Sequence, residues 1–170
     1  GVFNLDVELK NHTGKKTAST VTYEILDDAG KIISSAKKAV EITDTISKLN
    51  FNVAIESVKK WSAETPNLYT LALAVKDASG ATTEATSIKI GFRTSEIKDG
   101  FLLVNGKRVL VKGVNIHEFD QNTGQVVNEK TVMMDFKRMK ELKINAIRLS
   151  HSHQHAFSYH LDDKHASYTL

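Results

Sequence analysis

Val132-Met-Met-Asp-Phe-Lys-Arg-Met-Lys-Glu-Leu-Lys-Ile-Asn-Ala-Ile-Arg-Leu149 is the stretch on which the fold turns. Val132, Met133, Phe136, Met139 and Leu142 recur at spacings of three and four among Asp135, Lys137, Arg138, Lys140 and Glu141, which lays one apolar stripe along a helix. Asn145 to Leu149 follows as a short apolar run with a polar end, suited to a buried parallel strand. Upstream, Phe101-Leu-Leu-Val104 and Lys107 to Val111 flank Asn105-Gly106, the strongest two-residue signal for a type I′ hairpin. The second arm is predicted to run on through Lys112-Gly113-Val114-Asn115. Downstream, a weaker helical stretch from Phe157 to Asp163 precedes a third strand predicted over Ser167 to Leu170. Strand, helix, strand, helix, strand opens an α/β domain with right-handed crossovers. A complete (β/α)₈ barrel takes about 250 residues, so residues 95–170 read as an incomplete α/β segment, the first units of such a barrel.

Residues 1–94 obey a different period. Phe3, Leu5, Val7 and Leu9 alternate with Asn4, Asp6, Glu8 and Lys10. The same period of two recurs at Val21, Tyr23 and Ile25, at Leu71, Leu73 and Val75, and at Ile88, Ile90 and Phe92. Asp27-Asp-Ala-Gly30 and Asp77-Ala-Ser-Gly80 each begin with a residue that caps local amides and end in one that accepts positive φ. Short alternating strands joined by such turns predict an immunoglobulin-like β-sandwich, although a Cys-Trp-Cys signature is missing. Trp61 to Tyr69 interrupts the strands. Pro66, the only proline, pushes Thr65 into an extended conformation. Trp61 and Tyr69 are expected to form a packing cluster under this loop, with sugar stacking on the indole as the alternative.

Composition narrows the function. The 170 residues are 41% hydrophobic and 25% charged, and no apolar run approaches the ~20 residues that cross a bilayer. There are no cysteines, which excludes a disulfide scaffold, a cysteine zinc site and a thiol nucleophile. The net charge of +3 is dispersed, with Lys37-Lys38 and Lys59-Lys60 as isolated pairs, so neither nucleic acid nor membrane is expected as a partner. The opening Gly1-Val2, with no targeting segment, reads as a piece cut from a larger protein.

In α/β sheets, ligands bind beyond the carboxyl ends of the strands. Two polar clusters fall there: Asn115-Ile-His-Glu-Phe-Asp120 after the first parallel strand, and Arg148-Leu-Ser-His151 at the end of the next. Strands in register lie ~4.8 Å apart, so both clusters reach one small ligand. His117-Glu118 does not continue as a zincin helix, because position 121 is Gln. His151, His153 and His155 recur every second residue, which on a strand would put three imidazoles on one face. A metal there is the weaker alternative. Glu118 and Asp120 share one loop and do not make an opposed catalytic pair.

Several of these stretches resemble glycoside hydrolase family 2. They are Trp61-Ser-Ala-Glu-Thr-Pro-Asn-Leu-Tyr-Thr-Leu71, Gly91-Phe-Arg93, Leu103-Val-Asn-Gly-Lys107 and Lys112-Gly-Val-Asn-Ile-His-Glu118. Asp120 with Thr123-Gly-Gln-Val126, Asp135 with Met139-Lys140, and Asn145-Ala-Ile-Arg-Leu-Ser-His151 continue the similarity. The order and spacing are closer to the family's β-galactosidases than to its β-glucuronidases. The similarity is strong from Trp61 to His151; before Trp61 it rests on the strand pattern.

The resemblance implies a retaining β-glycosidase that acts on terminal β-D-galactosides, with this chain inactive by itself because both catalytic glutamates come from later barrel strands. It implies that His117 and His151 bind the sugar, that Arg148 supports the nucleophile, and that Asn115 and Glu118 stand behind them. No cofactor is expected within these residues, and a divalent or monovalent cation is left open for the full-length enzyme. The expected partners are a β-galactoside, the rest of the enzyme and further copies of it; the compartment is left open. Ser152-His153-Gln154 departs from the family's Tyr-Pro-Asn, Ala166 from its glycine and Asp162 from its frequent cysteine. The alternatives are a non-catalytic β-sandwich module that binds carbohydrate or a partner, and a relative of β-glucuronidase or β-mannosidase type.

Overall fold

A computed structural model describes residues 1–12, 14–43, 46–117, 119–149, 163–164 and 168–169. The chain divides into two compact units, residues 1–59 with 68–92, and residues 60–67 with 93–170.

The first unit is a β-sandwich. Its strands are β1 (Val2–Lys10), β2 (Thr17–Leu26), β3 (Ile32–Ile42), β4 (Ile46–Ala54), β5 (Tyr69–Asp77) and β6 (Thr82–Ile90). β1 pairs with β4, and a second sheet runs β3-β2-β5-β6, all antiparallel. Period two places Phe3, Val7, Val21, Tyr23, Ile25, Phe51, Leu71 and Val75 in one core. Tyr23 is its centre. Its ring lies 5.1 Å from Phe3 and 5.0 Å from Phe51, edge-on to the latter, and its hydroxyl shares a 3.2 Å hydrogen bond with Ser34. The Asp-Gly turns close the β2–β3 and β5–β6 hairpins. Asp27 Oδ1 accepts from the amides of Ala29 and Lys31, and Asp77 Oδ1 from those of Ser79 and Ala81, while Gly30 and Gly80 take φ of 79° and 88°.

Two strands were not foreseen. β4 does alternate, through Ser47, Leu49, Phe51 and Val53. β3 fully buries only Ile42, and the half-buried Ile33 and Val40 that also pack on the core are separated by Ser34-Ser-Ala-Lys-Lys38, so no continuous inward apolar row marks it. The run Ile88-Ile90-Phe92 is also less inward than its spacing implies. β6 is an edge strand in which Ile88 is 52% exposed, and only Ile90 and Phe92 join the core.

The predicted Trp61–Tyr69 cluster divides between the units, with Trp61 in the second and Tyr69 in the first. Residues 60–67 leave the sandwich and fold with the second unit. There Trp61 is buried with its ring 5.7 Å from that of Tyr168, edge to face, and with the Arg93 guanidinium 4.9 Å over it. Its Nε1 donates to the Asp163 carbonyl at 3.0 Å, and the Asn105 side chain donates to its own carbonyl at 2.9 Å. At 2% exposure the indole has no open face for a sugar ring. Tyr69 stays in the sandwich, edge-on to Phe92 at 5.4 Å, with its hydroxyl accepting from the Lys59 amide.

The second unit begins with an antiparallel sheet of β7 (Ser95–Lys98), β8 (Phe101–Val104) and β9 (Lys107–Arg108). Asn105 and Gly106 take φ of 55° and 75°, as a type I′ turn requires. The second arm stops at Arg108, short of the predicted Val111. The chain then enters a separate parallel sheet, β10 (Gly113–Ile116), β11 (Ala146–Leu149) and β12 (Tyr168–Thr169), in the order β10-β11-β12. Asn145 holds the crossing, since its Oδ1 accepts from the Lys112 amide and its Nδ2 donates to the Leu110 carbonyl.

Helix α1 (Glu129–Glu141) links β10 to β11. Asn128 caps it by accepting from the Thr131 amide at 3.0 Å. Val132, Phe136 and Met139 pack with Val127 and Ile147, and with the half-buried Val114, Ile116 and Leu149. Leu142, read as the last member of this stripe, is the C-cap instead and is exposed. The helix ends there because Lys143 turns into the left-handed region, with φ of 57°. The predicted helix from Phe157 lies, apart from Asp163, outside the described residues.

Candidate active site at the strand ends

The parallel register pairs Val114 with Ile147, Asn115 with Arg148 and Ile116 with Leu149. Val114, Ile116, Ile147 and Leu149 face the helix. Alternation therefore turns Asn115 and Arg148 to the opposite side of the sheet, where both are exposed. His117 follows β10 directly, two residues after Asn115, and is exposed too. Asn115, His117 and Arg148 thus converge on the carboxyl ends of two adjacent strands, the end at which such sheets bind ligands. Glu118 and His151, and with them His153 and His155, lie outside the described residues. Among the described residues no group of three or more histidine, aspartate or glutamate side chains is placed to hold a metal ion.

Asp120 has a structural task. Its Oδ1 accepts from the amides of Asn122 and Thr123, and its Oδ2 from the Thr131 hydroxyl. Backbone hydrogen bonds between Asp120 and Gly124 close the turn. The Asn122 amide, then the Thr123 amide and the Thr131 hydroxyl, hold this carboxyl below its ordinary range. A carboxyl so engaged ties the loop after β10 to the start of α1 and is not set up to exchange a proton with a sugar. Because its folded pKa is depressed, its stabilisation is complete above the unfolded pKa and disappears as pH falls through the folded one. Amide NMR of Asn122 and Thr123 should therefore show the turn loosening only below the ordinary carboxylate range. Asp120→Ala, which removes both acceptor oxygens, should be loose already at neutral pH, and an unchanged turn in that variant would contradict the assignment.

Phe119 is a feature that the sequence reading passed over. It is 65% exposed on the loop that follows His117. The signal was a lone aromatic inside the polar cluster, visible only as part of Asn115 to Asp120.

Residues 1–93 match the family model described as glycosyl hydrolases family 2, and residues 95–170 match that of the TIM barrel domain of the same family. The chain belongs to glycosyl hydrolases family 2. It is 34% identical over all 170 residues to a β-galactosidase of Halalkalibacterium halodurans, and 38% identical over 168 residues, 98% of the chain, to one of Streptococcus thermophilus. It spans 16% of the length of each. In fold it is similar to a β-glucuronidase of Bacteroides uniformis, with a TM-score of 0.91 at 22% identity over 99% of this chain and 20% of that one. A putative β-galactosidase of Bacteroides fragilis gives 0.93 at 17% identity, over 99% of this chain and 25% of that one. Both likenesses speak to fold alone. The immunoglobulin-like sandwich and the opening units of a family 2 barrel are thus both present, and the family is one of hydrolases.

Proposed function

We propose that this chain is part of a retaining β-glycosidase of β-galactosidase type, which hydrolyses terminal β-D-galactosides. The observation that carries the reading is the Asn115–Arg148 register with His117 beside it, at the ligand-binding end of a family 2 barrel sheet. Retention needs two carboxyl groups only ~5 Å apart, one to attack the anomeric carbon and one to protonate the leaving oxygen. Asp120, with both oxygens engaged, does not serve, and the family resemblance implies that the acid/base and the nucleophile come from later barrel strands. Arg148 offers a planar guanidinium that holds a neighbouring carboxylate ionised and oriented for attack. His117, with His151 as the family resemblance implies, takes hydrogen bonds from and gives them to the sugar hydroxyls.

The galactoside preference is supported by curated relatives named β-galactosidases at 34% and 38% identity. A glucuronide preference is the second reading, since a Parabacteroides merdae β-glucuronidase is 28% identical, with a TM-score of 0.81. A panel of 4-nitrophenyl β-glycosides separates them. The full-length protein should cleave the galactoside at least about tenfold faster, in kcat/KM, than the glucuronide or mannoside, a difference of ~1.4 kcal/mol. The 170-residue chain alone should leave all three intact. Faster glucuronide cleavage would favour the second reading. Turnover by the chain alone would contradict the assignment of the carboxylates.

A further inference from the structure

The opposite ends of the same parallel strands border an open cavity of about 930 Å³, lined wholly by residues of the second unit. Lys60, Lys107, Arg108, Lys112, Lys140 and Lys143 line it, against Glu64 as the one acid among its described lining residues. Six cations around one hollow is a concentration that the chain's net charge of +3 does not suggest. The wall is built as well as charged. Tyr168 is 8% exposed, and its hydroxyl, beside the Ala63 amide, makes no hydrogen bond of ordinary geometry. The Ala63 amide can serve only the oxygen, so the hydroxyl proton is left without an acceptor, which is costly when buried and which a ligand acceptor would relieve. Lys140 is partly withdrawn from water, and this burial lowers its pKa even though Glu64 opposes the shift; its ammonium reaches the Ala63 carbonyl at 3.4 Å. The Arg108 guanidinium stacks 3.8 Å over the Phe101 ring, which fixes its plane while leaving its N–H edge for an acceptor.

We propose that this cavity binds a small multiply charged anion of the phosphate class, held by its cations and by the Tyr168 hydroxyl. The volume lies within the range of small-molecule sites. Lysines supply point charges to such an anion, while the arginine and the tyrosine supply directed donors. Asn115, His117 and Arg148 lie at the other end of the sheet, so this site is separate from the one proposed for the sugar.

Titration calorimetry of the full-length protein with inorganic pyrophosphate, at constant ionic strength, tests the proposal. Saturable binding of one ion per chain is expected. Lys112→Gln with Lys143→Gln should weaken it about tenfold, and Tyr168→Phe, which keeps every charge, should weaken it severalfold. Lys31→Gln with Lys37→Gln removes the same charge from the exposed surface of the sandwich and should leave the affinity unchanged. All four lysines are exposed, so these variants retain the fold. Absence of saturable binding, equal weakening by the two lysine pairs, or unchanged affinity in Tyr168→Phe would each overturn the proposal.

Discussion

Trp61→Ala is expected to destabilise the second unit by about 3–5 kcal/mol, the range found when a large buried aromatic is emptied from a core. The indole is 2% exposed, and several partners meet on it: the Tyr168 ring, the Arg93 guanidinium and, through Nε1, the Asp163 carbonyl. Each is far from residue 61 in sequence. Removing the ring therefore detaches segment 60–67 from β12 and from the chain around residue 163. A domain of ordinary stability has only 5–15 kcal/mol to lose. Hydrogen exchange should report lost protection in β8, α1 and β11, while β2 and β5, whose core contains no part of Trp61, keep theirs. Equal loss in both units, or no loss in either, would show that the segment is not the fastening described. Asn105 strengthens the expectation. It joins the type I′ turn to the Trp61 carbonyl through Nδ2, while its Oδ1 accepts from the Thr94 amide.

Arg148→Lys in the full-length enzyme should lower kcat by about 10²- to 10³-fold with little change in KM, the usual effect of removing one preorganised electrostatic donor. The charge is retained; the planar two-point fork is not. Arg148 lies on the exposed face of β11, away from the core that Ile147 joins. Stability should accordingly stay within about 0.5 kcal/mol of the parent. A thermal melt alongside initial rates with 4-nitrophenyl β-galactoside separates the two effects. An unchanged kcat would remove Arg148 from the nucleophile's surroundings, and a large drop in melting temperature would give it a packing task instead.

Much of this was legible from short stretches of sequence because the governing physics is local. The stripe Val132, Phe136, Met139 announced α1, and Asn105-Gly106 announced its turn, since backbone periodicity and positive φ depend on near neighbours. The placement of Asn115 and Arg148 at matching strand ends followed from the same reasoning, and the register bears it out. β3 was missed for an equally physical reason: a strand that buries little carries little period. The end of the hairpin's second arm was misplaced because nothing local says where one sheet hands over to another. Asn145, more than thirty residues away, bridges that gap through Lys112 and Leu110. The aim of His151 and the role of Glu118 rest on the family resemblance.

By itself, then, the amino-acid order determined which segments become strand or helix, where the tight turns fall, and which residues stand at the ends of the first two parallel strands. Tertiary structure alone decided that Trp61 packs on Tyr168, that residues 60–67 join the second unit, that Asp120 is spent on its own loop, and that six scattered cations share one hollow. The reason is that pairing across long sequence separations is selected by the surface it buries and the polar groups it satisfies. Neither quantity exists until the chain has closed on itself.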